Sequence, residues 1–151
     1  MSDPLTELPA ALELLRQAVD KPGNLDRHVV RAVLLPLGAL VLGPGDEDQD
    51  VILAEIRELV GPAEKAWHEA LEFELKLAAS EHIQSVDLRY LSRPDYDFDY
   101  TIQARERLEA RLVAAEALGW PADPELVQRV HRADATLEPF LGSREGREPL
   151  N

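Results

Sequence analysis

The sequence predicts an all-α fold: a single-domain bundle of five or six helices around one long central helix, at about residues 62–91. Three observations carry that expectation. Apolar residues recur at helical spacing through most of the chain, as in Leu5, Leu8, Leu12, Leu15 and Val19. Proline and glycine interrupt the pattern where connections are needed, at Pro22-Gly23, Gly43-Pro44-Gly45, Gly61-Pro62, Pro94 and Gly119. Residues 62–91 are the longest stretch free of a strong helix breaker, and as one helix they would span roughly 45 Å. The chain has 151 residues, 45% hydrophobic and 30% charged, a balance that suits one globular core. The bundle is expected over residues 1–141, with a polar, loose tail at 142–151.

The first helix should begin near Pro9, because proline is tolerated only in a first turn, and should end before Lys21-Pro22-Gly23. Asn24 is placed to cap the second helix. Residues 29–42 are apolar almost all round, with Arg31 the only charge, and at 14 residues they are too short to cross a bilayer. They read as a buried core helix or, failing that, as a subunit interface, kinked or split at Pro36 and Gly38. Asp46 to Asp50 can cap a short third helix carrying Val51, Ile52, Ile56, Leu59 and Val60, with Pro62 opening the next helix. So short a connection suggests an antiparallel hairpin or a sharp bend.

On the central helix, Ala63, Ala66, Trp67, Ala70, Leu71, Phe73, Leu75, Leu77 and Ala78 fill an arc of roughly 200°, which implies packing on two sides. Near residues 80–85 the apolar face changes, since Ile83, Val86 and Tyr90 lie where the helix was polar. That requires a new neighbour, a bend or a break. Arg93-Pro94 stops the run. Asp95-Tyr96-Asp97-Phe98-Asp99-Tyr100 alternates with a period of two, and is expected to lie extended over the bundle with its rings inserted. A helix from Thr101 to Leu118 follows, and a last one opens at Asp123-Pro124 and carries Leu126, Val130, Ala133, Leu137 and Leu141.

Composition narrows the chemistry. There is no cysteine, so disulfides, thiolate metal sites and cysteine nucleophiles are excluded, and no signal peptide is visible at Met1-Ser2-Asp3-Pro4; a cytoplasmic protein is expected. Sixteen basic against 29 acidic residues leave a net charge of −13, which repels phosphate backbones and anionic lipid and argues against direct nucleic-acid or membrane binding. An acidic surface of this kind also suits a basic partner, or mimicry of nucleic acid. The motifs G-x-S-x-G, G-x-x-x-x-G-K-[ST] and G-x-G-x-x-G are all missing, and no serine adjoins a recognisable base.

Three groups of residues remain as candidates. Asp95, Asp97 and Asp99 with Ile102 and Glu106 have the spacing of a calcium loop and resemble that of the EF-hand family, with Tyr100 in place of its turn glycine. Glu55 and Glu58, then Glu69 and Glu72, form two E-x-x-E pairs beside His68. They are similar to the magnesium or manganese pairs of all-α nucleotide pyrophosphatases of the MazG type, and the resemblance implies a metal-dependent hydrolase. That family's second pair is E-x-x-D, which this chain lacks. Glu74 and Glu81 fall inside the apolar arc with His82 at its edge, and predict a buried polar network with Arg105 or Arg31. No E-x-x-H occurs, so a diiron carboxylate site is not indicated, and the pattern implies no cofactor and no catalytic residue. The expectation is a non-enzymatic protein that binds another protein, as adaptor, chaperone, inhibitor or assembly subunit, and forms a homodimer. Val29, Val30, Val33 and Leu34, with Tyr96, Phe98 and Tyr100, are the expected interaction surfaces; a pyrophosphatase and a nucleic-acid mimic are the alternatives.

Overall fold

Apolar stripes at helical spacing must be buried, and the chain does this by stacking helices. A computed structural model describes residues 4–43 and 48–147, and among these the structure is helix and turn with no strand. The helices are α1 (Pro4–Asp20), α2 (Arg27–Leu42), α3 (Gln49–Val60), α4 (Glu64–Ser85), the single turn α5 (Leu88–Leu91), α6 (Phe98–Leu118) and α7 (Pro124–Arg147). This is the expected all-α bundle. None of the described helices is long and apolar enough to cross a membrane.

Helix α1 starts at Pro4, earlier than expected, and accommodates Pro9 within it. Leu8, Leu12 and Leu15 are buried against α2. The cap of α2 is Asp26 rather than Asn24: its carboxylate accepts the N–H groups of His28 (3.0 Å) and Val29 (3.3 Å). Asn24 lies in a preceding 3₁₀ turn, Pro22–Asn24. Helix α2 runs unbroken through Pro36 and Gly38, and no split occurs. Its Val30, Val33, Leu34 and Leu37 are wholly buried, between α1, α4 and α6. Gly38 sits where α2 meets α6; a Cβ there would lie 2.2 Å from the carbonyl oxygen of Ala110. The missing side chain is what lets the two backbones touch.

Of the acidic residues expected to cap α3, Asp46 and Glu47 lie outside the described residues, and Asp50 is in the first turn, where the helix dipole favours a carboxylate. Pro62 stands in a 3₁₀ turn, Gly61–Ala63, ahead of α4. The turn makes a sharp bend and not a hairpin, since α3 packs on α1 and α6. Arg57 fastens it there, donating to the carbonyls of Leu118 (3.0 Å) and Ala117 (3.0 Å), which the end of α6 leaves unpaired.

Along α4, Trp67, Ala70, Leu71, Glu74, Leu75, Ala78, Ala79 and His82 form a buried stripe that faces α2, α6 and α7. The change of face is resolved by a break. Helix α4 ends at Ser85, Val86 leaves helical geometry, and Asp87 caps α5 by accepting Arg89 N–H at 2.9 Å. The alternating segment is only partly extended, because α6 begins at Phe98 and not at Thr101. Asp97 caps it, accepting Asp99 N–H at 2.9 Å. At its other end Gly119 takes φ +94°, a left-handed geometry that glycine adopts without strain. Asp123 caps α7 as expected. Helix α7 continues to Arg147, so the expected tail from residue 142 is helical in its first part, and residues 148–151 lie outside the described residues.

Candidate functional site

Four arginines meet on one face of this acidic protein. Arg27 and Arg31 lie one turn apart on α2, Arg107 and Arg111 one turn apart on α6, and together they line a cleft of about 100 Å³ whose third wall is α4. Like charges at this spacing destabilise a helix by about 0.2–0.5 kcal/mol per pair, so folding alone does not favour the arrangement. At the floor the repulsion is answered. Glu74, 2% exposed, accepts from Arg111 Nε at 2.9 Å and faces Arg27 Nη1 at 3.6 Å. Burial holds the Arg111 guanidinium below its ordinary pKa, with Glu74 opposing and Arg31 adding to the depression. Removing one partner of such a pair leaves the other charge buried and alone, at about 3–5 kcal/mol.

The upper cleft is different. Arg31 and Arg107 are exposed and, among the described residues, neither has an ion-pair partner. Glu81, also exposed, is the one other carboxylate lining the cleft. Four guanidiniums against two carboxylates leave two positive charges in excess on a chain whose total is −13. Tyr100, 62% exposed, stands at the rim. Phe73, 57% exposed, lies under the Arg27 guanidinium, 5.9 Å from the ring centre. Such stacking steadies the Arg27 guanidinium, which also faces Glu74.

A second polar cluster joins α4, α6 and α7. His82, fully buried, meets Asp134 through Nε2 at 2.7 Å, and Asp134 accepts from Arg105 Nε at 2.9 and 3.1 Å. Arg105 also reaches Glu109 at 2.9 Å. Burial lowers the His82 pKa, outweighing the pull of Asp134, so the ring is neutral and its Nε2–H donates. Its Nδ1 is buried with no partner among the described residues. Burial pushes Asp134 up, but the bonds from Arg105 and His82 more than offset it and hold the carboxyl below its usual range.

The expected sites are redistributed accordingly. Val29, Val30, Val33 and Leu34 are core residues of the single chain, because α2 is enclosed on three sides, and they offer no surface to a partner. Tyr96 and Phe98 are half-buried. The Tyr96 hydroxyl donates to the Ser85 carbonyl (3.2 Å) and accepts from Thr101 (2.6 Å), and Phe98 packs edge-on to Tyr96 at 5.0 Å and over Phe140 at 6.5 Å. Only Tyr100 of the three points outward, since the chain is helical by then and the period of two no longer applies.

The expected network of Glu74, Glu81, His82 and Arg105 divides into two. Glu74 pairs with Arg111 and Arg27, His82 joins Arg105 only through Asp134, and Glu81 is exposed. Arg111 and Asp134 carried a readable signal. Arg111 continues the inward series of Leu108, Ala115 and Leu118, and Asp134 that of Val130, Ala133 and Leu137.

The paired glutamates form no cluster. Glu55 is bound to Arg16 and Glu72 to Lys76, while Glu58 and Glu69 are exposed. No group of three or more metal-ligating side chains occurs among the described residues. The calcium-loop spacing is spent on a helix, which sets Glu106 about 13 Å along the axis from Asp97. Comparison with known protein families, with characterised proteins and with solved structures found no match to this chain.

Proposed function

We propose that this protein works by binding another protein, and that an acidic segment of that partner docks on the arginine face formed by α2, α4 and α6. The observation that carries this reading is the pair of guanidiniums, Arg31 and Arg107, which have no ion-pair partner among the described residues and share their cleft with the exposed Tyr100 ring. Arginine and aromatic side chains are the types that dominate binding energy at protein interfaces. A local positive patch on a chain of net charge −13 selects for an acidic segment while the remaining surface repels a wholly acidic partner. The homodimer expected from the apolar helix has lost its basis, since Val29, Val30, Val33 and Leu34 are already covered within one chain.

The test is site-specific photocrosslinking in the native cell from position 73 or 100, with position 51, an exposed valine on α3, as control. Crosslinks from 73 and 100 should land in an Asp/Glu-rich or phosphorylated segment and vanish in the Arg31→Glu/Arg107→Glu variant. Equal products from position 51, or products indifferent to the charge reversal, would refute the proposal.

A further inference from the structure

We infer that the arginine cleft receives a phosphoryl group, carried by a phosphorylated side chain of the partner; this rests on the protein-binding reading above. The charge excess is the first argument. Once Glu74 has neutralised Arg111 and Glu81 is counted against the rest, two positive charges remain, matching a phosphomonoester dianion better than a single carboxylate.

The shape of the cleft points the same way. A cleft of about 100 Å³ has room for a compact oxyanion. Its donors are planar guanidinium forks, whose paired N–H groups fit phosphoryl oxygens two at a time. They come from two helices, Arg31 on α2 and Arg107 on α6, so both helices contribute donors to one cleft.

The floor is rigid and the mouth is open. Arg111 is pinned to the buried Glu74 carboxylate and Arg27 is held over Phe73, so the lower cleft is shaped before any ligand arrives. The exposed Tyr100 ring at the cleft, and the exposed Phe73 ring under Arg27, then offer apolar surface to the residues around the phosphorylated one. This explains a pairing that otherwise looks wasteful: two arginine pairs at like-charge spacing on neighbouring helices, with a single buried carboxylate beneath them.

The experiment titrates the full chain, by calorimetry at fixed ionic strength, with a short Glu-rich peptide bearing a central phosphoserine, and with the same peptide bearing glutamate or serine there. Inorganic phosphate forms a fourth arm. The phosphoserine peptide should bind at least about tenfold more tightly than the glutamate peptide, the difference made by one added charge-assisted hydrogen bond. Arg31→Gln/Arg107→Gln should abolish that preference, and because both side chains are exposed its thermal melt should match the parent's.

Equal affinity for phosphoserine and glutamate peptides would overturn this inference and leave an acidic-segment reader. Inorganic phosphate binding as tightly as the phosphopeptide would overturn it in favour of a small-anion site. No binding in any arm overturns it as well, while the crosslinking from positions 73 and 100 judges the protein-binding reading separately.

Discussion

Substituting Gly38 by alanine tests the packing on which the cleft depends. The added Cβ would meet the Ala110 carbonyl oxygen at 2.2 Å and its carbon at 2.6 Å, both backbone atoms that no rotamer change can move. To reach an ordinary contact of 3.4 Å, α2 and α6 must separate by about 1.2 Å. A gap near 1 Å forfeits up to half of the dispersion well for each pair of atoms along the line of contact, and strain from overpacking is typically about 1–3 kcal/mol or more. Alanine's better helix propensity returns about 1 kcal/mol. The net expectation is a loss of about 2–3 kcal/mol, read as a fall in Tm of about 5–10 °C and a lower urea midpoint by circular dichroism.

Gly61 provides the internal control. Its backbone is already helical (φ −44°, ψ −50°) and nothing lies within 4 Å of an added Cβ, so Gly61→Ala should stabilise by about 0.4–1 kcal/mol. A Gly38→Ala protein as stable as its parent, with an unchanged urea slope, would refute the close crossing and with it the placement of the α2 and α6 arginines.

Three further outcomes follow from the same structure. Glu74→Gln should destabilise by about 3–5 kcal/mol in urea titration by stranding Arg111, whereas Glu74→Met/Arg111→Met should recover most of the loss. Stability should fall as pH drops below about 6.5, because the unfolded chain then takes up a proton that buried His82 resists, and fall again in the acid range as Asp134 is protonated. In pH-dependent melts, His82→Gln should remove the first of these losses and keep the second. Magnesium, manganese and calcium should give no saturable rise in the melting midpoint; a rise with one of them would revive Glu55, Glu58, Glu69 and Glu72, or the carboxylates of residues 95–106.

The elements were largely legible in the sequence because they follow from local rules. The Leu8–Leu12–Leu15 spacing, the Asp123-Pro124 start and Gly119 with its positive φ each contain their own cause. What local rules could not supply was the level at which one helix stands beside another. Arg105 and Arg111 are both arginines on the face of α6 turned to the bundle, about 9 Å apart along the axis. Only the packing of α4 against α6 decides that Glu74 meets Arg111, and that His82 meets Arg105 through Asp134 of a third helix.

The hairpin expected at Gly61-Pro62 failed for the same reason, since a short turn restricts distance but not direction. The four valines and leucines of α2 were recognisable as apolar, yet whether they face a neighbour within the chain or a second copy depends on α1 and α6, which lie far off in sequence. The arginine cleft shares that property. Its i,i+4 pairs are visible residue by residue, and their convergence is not.

One arginine of the cleft is locked below, while two above it have no ion-pair partner among the described residues. Arginine side-chain NMR addresses this contrast directly, through hydrogen exchange at each Nε–Hε group. Arg111 should exchange slowly, shielded by its bond to Glu74 at 2.9 Å, while Arg31 and Arg107 exchange at the rate of free arginine. An Arg111 signal that exchanges as fast as those of Arg31 and Arg107 would contradict the account.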